Sequence, residues 1–174
     1  MKRLLPFLLL GATTSAQATD TLHQIYIQPS LANLKIDGSH VDGLMTQVGY
    51  NYHFAPMVAL DLSYYMTESM DNVTSNNDSA AVDGASIAAK MYFPMSYYGS
   101  FYGKMGLNRT NVEYKNTVGN QTMKQDSTTT KPYVAVGGVM KLYPSVTFNV
   151  EYQYIDLASG DYLSVIGAGV NFMF

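Results

Sequence analysis

The chain has 174 residues, with 15 Tyr, no Trp and no Cys, and only 13% of it is charged. Absent cysteine leaves no disulfide framework and no thiolate metal site, and the net charge of −3, which falls to −5 once the basic N-terminus is removed, excludes a general nucleic-acid binder. Mean hydropathy near zero is too polar for a bundle of membrane helices, but a barrel of membrane strands hides its apolar residues in alternation and escapes that average.

Residues 1–18 read as a secretory signal peptide: Lys2 and Arg3, an apolar run from Leu4 to Leu10, then Ala16-Gln17-Ala18 as a small-x-small cleavage pattern. Cleavage after Ala18 leaves 8 basic residues against 13 acidic ones, a charge of −5. The remainder, 19–174, divides into segments of about ten residues separated by polar gaps, the length a strand needs to cross a bilayer. The spacing predicts strands over His23–Lys35, Leu44–Phe54, Met57–Met66, Gly84–Phe93, Ser100–Glu113, Lys131–Tyr143, Val146–Leu157 and Asp161–Phe174.

The last strand is the most explicit. Ile166, Ala168, Val170, Phe172 and Phe174 alternate with Val165, Gly167, Gly169, Asn171 and Met173, and neither set is charged. One greasy face and one face of glycines and an amide suit lipid outside and a weakly polar lumen inside. Pro29 lies inside the first strand and is expected at a bulge or strand end, because a closed barrel offers no free edge for it. Turns at 55–56, 94–99 and 144–145 fall on one end; polar loops at 36–43, 67–83, 114–130 and 158–161 fall on the other. An even number of strands returns both termini to the short-turn end.

These segments predict an all-β fold, an eight-stranded antiparallel transmembrane β-barrel. A soluble barrel would invert the pattern and show Asp61, Lys90, Lys104, Lys141 and Glu151 to water, and five charges are too few for a soluble exterior. They suit a lumen. Together with Asn51 they form the expected structural polar cluster, with Asp61 answering Lys90 and Lys104, and Glu151 answering Lys141 across the turn at Pro144. Eight strands leave an interior just wide enough for side chains to fill, so a salt-bridged plug is expected instead of a wide channel. Tyr50, Tyr52, Phe54, Phe93, Phe101, Phe172 and Phe174 mark one interfacial girdle; Tyr64, Tyr154 and Tyr162 mark the other.

The stretches GYNYHFAPMVALDLSYY, FYGKMGLNRTNVEY, KPYVAVGGVMKLYP and YLSVIGAGVNFMF resemble OmpA-like and OmpX-like outer-membrane β-barrel domains over essentially all of 19–174. The resemblance implies the Gram-negative outer membrane, outer-membrane lipid and lipopolysaccharide as surroundings, and insertion by the barrel assembly machinery with Phe174 as assembly signal. It also implies a non-enzymatic anchor displaying loops, with adhesion to host surface molecules or envelope integrity as roles, and no peptidoglycan-binding domain. Arg109, Lys115, Lys124 and Lys131 around the third long loop are the candidate surface contacts, for lipopolysaccharide phosphates or an anionic host polymer.

A lipid-A-modifying enzyme and a small low-conductance pore are the alternatives. Lipid A deacylases of this size carry a His-x-Ser pair; here Ile25, Asp42 and Ala55 follow the histidines at that spacing, leaving only the neighbourhood of His40, with Asp37, Ser39 and Asp42. No catalytic, cofactor-binding or metal residue is assigned, and no cofactor is expected.

Overall fold

In a computed structural model the described residues are 23–36, 39–67, 70–71, 79–118, 121–158 and 160–174, so the expected signal peptide and its cleavage site lie outside the described residues. Nine strands follow one another: β1 (His23–Ile36), β2 (Ser39–Ala55), β3 (Val58–Thr67), β4 (Met70–Asp71), β5 (Ser79–Pro94), β6 (Gly99–Val118), β7 (Gln121–Tyr143), β8 (Val146–Ala158) and β9 (Asp161–Met173). The two-residue β4 only extends the hairpin above β3 and β5. The eight long strands pair antiparallel with their neighbours, β3 pairs with β5, and β1 pairs with β9, which closes the ring.

Partners traced around the ring from Gln24 run through Asn51, Asp61, Ala88, Gly106, Tyr133, Ile155 and Leu163 to Leu34, ten residues further along β1. A stagger of ten over eight strands sets a strand tilt of about 40° and a backbone radius of about 8 Å. Side chains alternate as the sequence predicts: Ile25, Ile27, Leu31, Leu62, Ile87, Met105, Val136 and Ile166 face outward and are exposed, whereas Gln24, Gln28, Asp61, Lys104 and Glu151 are buried inside. Phe54, Phe93, Phe101, Phe172 and Phe174 are exposed at the short-turn end, and Tyr154 stacks on Tyr162 near the other.

Pro29 departs from expectation. It sits mid-strand opposite Thr46, and the β1–β9 ladder lapses between Ile27–Val170 and Ser30–Gly167, resuming in unchanged register. A residue without an N–H costs that seam a link, not a bulge. The loop assignments also change. Residues 39–43, 79–83 and nearly all of 114–130 are strand, and β6 and β7 form a hairpin whose ladder runs from Gly99–Met140 to Val118–Gln121. Above Tyr133, residues 121–132 of β7 have no β8 partner among the described residues, whereas β6 stays paired to β5 as far as Ser79–Lys115, so the hairpin extends beyond the barrel with its β7 edge free.

Three tyrosines set the inner packing. Tyr26, Tyr65 and Tyr102 point inward, and each lies across the ladder from a glycine: Gly49, Gly84 and Gly137. The ring covers the space where that glycine's Cβ would stand. Gly49→Val should therefore overpack the Tyr26 ring and cost about 1–3 kcal/mol. The measurement is the urea midpoint of the refolded barrel, followed as its heat-modifiable gel band because the chain has no Trp. Adding Tyr26→Ala should recover part of the loss.

Candidate functional site

The lumen has two zones. In the half toward the loops, Ala32, Leu34, Met45, Tyr65, Val82, Tyr133, Ile155, Leu157, Leu163 and Val165 form a buried apolar cluster. In the half toward the short turns lie four buried charges, Asp61, Lys90, Lys104 and Glu151. The sequence reading expects the polar layer and misses the apolar cap, which inward residues on seven different strands build only once the stagger brings them level.

Lys104 on β6 is the centre of the charged layer. Its Nζ lies 3.1 Å from Asp61 Oδ2 on β3 and 2.9 Å from Glu151 Oε2 on β8. Those two oxygens take no directed hydrogen bond, so the ammonium is their counter-charge. Lys104 also donates to Glu151 Oε1 at 3.2 Å. Small neighbours make the reach possible. Ala88 of β5 stands between Asp61 and β6, and Ala135 and Gly137 of β7 stand between Lys104 and Glu151.

Hydrogen bonds extend the layer. Tyr26 Oη donates to Asp61 Oδ1 at 3.2 Å, and Gln153 Nε2 donates to Glu151 Oε1 at 2.7 Å and to Gln47 Oε1 at 2.5 Å. Gln47 Nε2 donates to Ser63 Oγ, which is 2.5 Å from Ser86 Oγ. Asn51 donates to Gln24 Oε1 at 3.0 Å, toward the turn end.

Lys90 is the register partner of Lys104, as the sequence predicts, but among the described residues no carboxylate lies within ion-pair distance of it. Its Nζ stands 4.1 Å from the Tyr102 ring centroid and 5.1 Å from that of Tyr92, so aromatic faces receive the cation. Two lysines and two carboxylates balance one another in formal charge. Lys141 is corrected: it is exposed, not luminal. It lies at the mouth, beside an irregularity between Lys141 and Tyr143, and its Nζ sits 5.5 Å from the Tyr97 ring centroid. A lysine so placed reaches water instead of the interior, and Glu151 takes Lys104 in its place.

The other candidates are dispersed. Arg109 is exposed on the outer parity of β6, while Lys131 follows the inner parity of β7. Lys115 and Lys124 are direct register partners high in the β6–β7 hairpin. The histidines are apart: His23 stacks on Phe174, His40 Nδ1 meets Asn33 Oδ1 at 3.1 Å, and His53 stacks on Tyr92. Among the described residues no three of His, Asp and Glu gather at one point.

Two outcomes follow from the lumen. Lys104→Met leaves two carboxylates against Lys90 alone and should cost about 3–5 kcal/mol in urea unfolding, less where water reaches the layer. Adding Asp61→Asn restores the balance of formal charge and should recover part of that loss; a further drop would contradict the charge-balance account. Planar-bilayer recordings of the refolded barrel should be nearly silent, because the apolar cap closes the lumen. Large, steady conductance would refute the seal.

Comparisons with known proteins agree with this geometry. No curated protein matches the chain in sequence. Neisserial surface protein A is similar in structure, with a TM-score of 0.72 and 13% identity over 87% of this chain and 97% of that one. Ail, the attachment invasion locus protein of Yersinia pestis, in complex with the heparin analogue sucrose octasulfate, gives 0.66 and 17% over 87% and 97%. The outer membrane protein OprG of Pseudomonas aeruginosa gives 0.57 and 17% over 86% and 95%. At these identities the likeness is one of fold. The model of the outer membrane protein β-barrel domain matches residues 5–174. An eight-stranded closed barrel with an apolar wall, matched over nearly its whole length by that model, belongs to the outer membrane protein β-barrel domain family.

Proposed function

We propose that the protein is a non-enzymatic surface anchor, exported through a cleaved signal peptide, that holds the β6–β7 hairpin above the outer membrane for contact with an anionic partner. The observation that carries this reading is the hairpin itself. It continues past the last β8 pairing at Tyr133, with a ladder that holds it upright, and it is anchored in a barrel whose lumen is filled. Register opposes Lys115 to Lys124, and Arg109 lies lower on β6. The register thus brings three basic positions onto one hairpin, a density of positive charge that suits an anionic partner. Ail's structure with a sulfated heparin analogue supports the same chemistry for this chain. Phe174, whose N–H donates to His23 O at 2.9 Å on the seam between first and last strands, is the residue we assign to recognition by the barrel assembly machinery.

The competing reading is a lipid-A-modifying enzyme, and it centres on His40. That side chain meets the amide of Asn33, which is not a nucleophile, so the reading has less support. The experiment joins Val112 to Ser127, which are cross-strand partners, through a two-residue Asn-Gly turn, removing the hairpin top without shifting register. Cells carrying this variant should keep a heat-modifiable barrel and lose binding to immobilised heparin. Unchanged binding would overturn the display reading. A lipid A acyl pattern that changes with expression of the protein would favour the enzyme.

A further inference from the structure

The outer wall carries a groove that is apolar below and polar above. It crosses β2, β1, β9 and β8 and encloses about 570 Å³, within the range of roughly 300–1,000 Å³ of small-ligand sites. Its walls are Leu31, Leu44, Tyr152 and Ile166, all exposed on the face the barrel turns to lipid. Its upper rim is polar: Asn33, Asp42 and Ser164. Asn33 Nδ2 donates to Asp42 Oδ1 at 2.6 Å, and Asn33 Oδ1 can only accept, so His40 Nδ1 donates to it at 3.1 Å. This chain holds the Asn33 amide in one orientation and directs Asp42 as an acceptor. Beside it stands Lys35, register partner of both His40 and Tyr162, with its Nζ 5.4 Å from the Tyr162 ring centroid.

Height identifies the occupant. Asn33 lies eight residues above Ile25 on a strand tilted about 40°, which is about 20 Å. An outer-membrane barrel's apolar band is about 25 Å tall. Lys35, two residues higher at about 25 Å, stands at the top of that band beside Tyr162, which stacks on Tyr154; the Asn33–Asp42 rim lies just under the headgroup level of the leaflet on the loop side, and the groove below it lies among acyl chains. Carboxylates and histidines on the lipid face are costly at hydrocarbon depth, so this rim belongs at the interface. A lysine offers a phosphate its counter-charge, and a carboxylate accepts from amide N–H and hydroxyl groups.

We infer that this groove is a binding site for one phosphorylated, N-acylated sugar lipid of the outer leaflet, with an acyl chain along Leu31, Leu44 and Ile166, the phosphate at Lys35 and the sugar amide or hydroxyls at Asp42. The inference rests on placement in the outer membrane and is independent of the hairpin's role.

Native mass spectrometry of the detergent-refolded barrel tests it, with bis-phosphorylated lipid A and phosphatidylethanolamine supplied together at equal concentration. The heat-modifiable band first establishes that each variant is folded, so a failure of the fold is seen separately. The wild-type barrel should retain lipid A over phosphatidylethanolamine by about tenfold, the preference a single charge-assisted contact supplies. Ser164→Trp fills the groove and Lys35→Gln removes the cation; each should reduce the preference to near parity. If Ser164→Trp does not refold, Lys35→Gln carries the test alone, since its side chain lies at the rim. Equal retention of the two lipids by the wild type, or a preference unchanged in the folded variants, would overturn the site.

Discussion

In a bilayer no backbone amide can be left without a partner, and that condition alone compels β1 to pair with β9. Closure fixes the rest. Eight strands closed with a stagger of ten define one tilt and one radius, and that radius leaves no free channel. Inward side chains from opposite walls must then meet. Asp61 on β3, Lys104 on β6 and Glu151 on β8 come within ion-pair distance because the ring is narrow and because Ala88, Ala135 and Gly137 lie on the strands between them. The same narrowness places Tyr26 over Gly49 and Tyr102 over Gly137.

The two lumen zones divide the work. Breaking one partner of a buried charge set is expensive, so the quartet on the turn side penalises any slip in register. The apolar cluster on the loop side needs no such pairing and excludes ions by giving them nothing to bind. A filled, locked barrel is a rigid base for a long hairpin. Its exterior is put to a different use, and the polar rim near Asn33, Asp42 and Lys35 is where we place a lipid headgroup.

Much of this was legible in the sequence because a period of two is visible wherever one face is greasy. All eight strands, most of their inward and outward faces and the burial of Asp61 and Glu151 follow from alternation, and the parity of the turn after Phe93 sets Lys90 beside Lys104. What alternation cannot show is register around a ring. Nearness in sequence offers Glu151 the ammonium of Lys141, but that lysine lies at the mouth and turns to Tyr97. Lys104 reaches Glu151 only through the gap left by Ala135 and Gly137. The β6–β7 hairpin was hidden for a related reason. Its upper ladder, with Thr128, Thr129 and Thr130, is polar on both faces, so β-branched residues build strand there without a hydrophobic signal. The rim of the groove joins Asn33 and Asp42 through register alone.

The central claim is that one ammonium, Lys104, is shared by carboxylates from two distant strands inside a closed ring. Solid-state NMR of the barrel in bilayers, with dipolar recoupling between Lys104 ¹⁵Nζ and the ¹³C carboxyl carbons of Asp61 and Glu151, measures it directly. The account predicts both distances at about 4 Å, as charge-assisted contacts require. Coupling to only one carboxylate, or to neither, would contradict it.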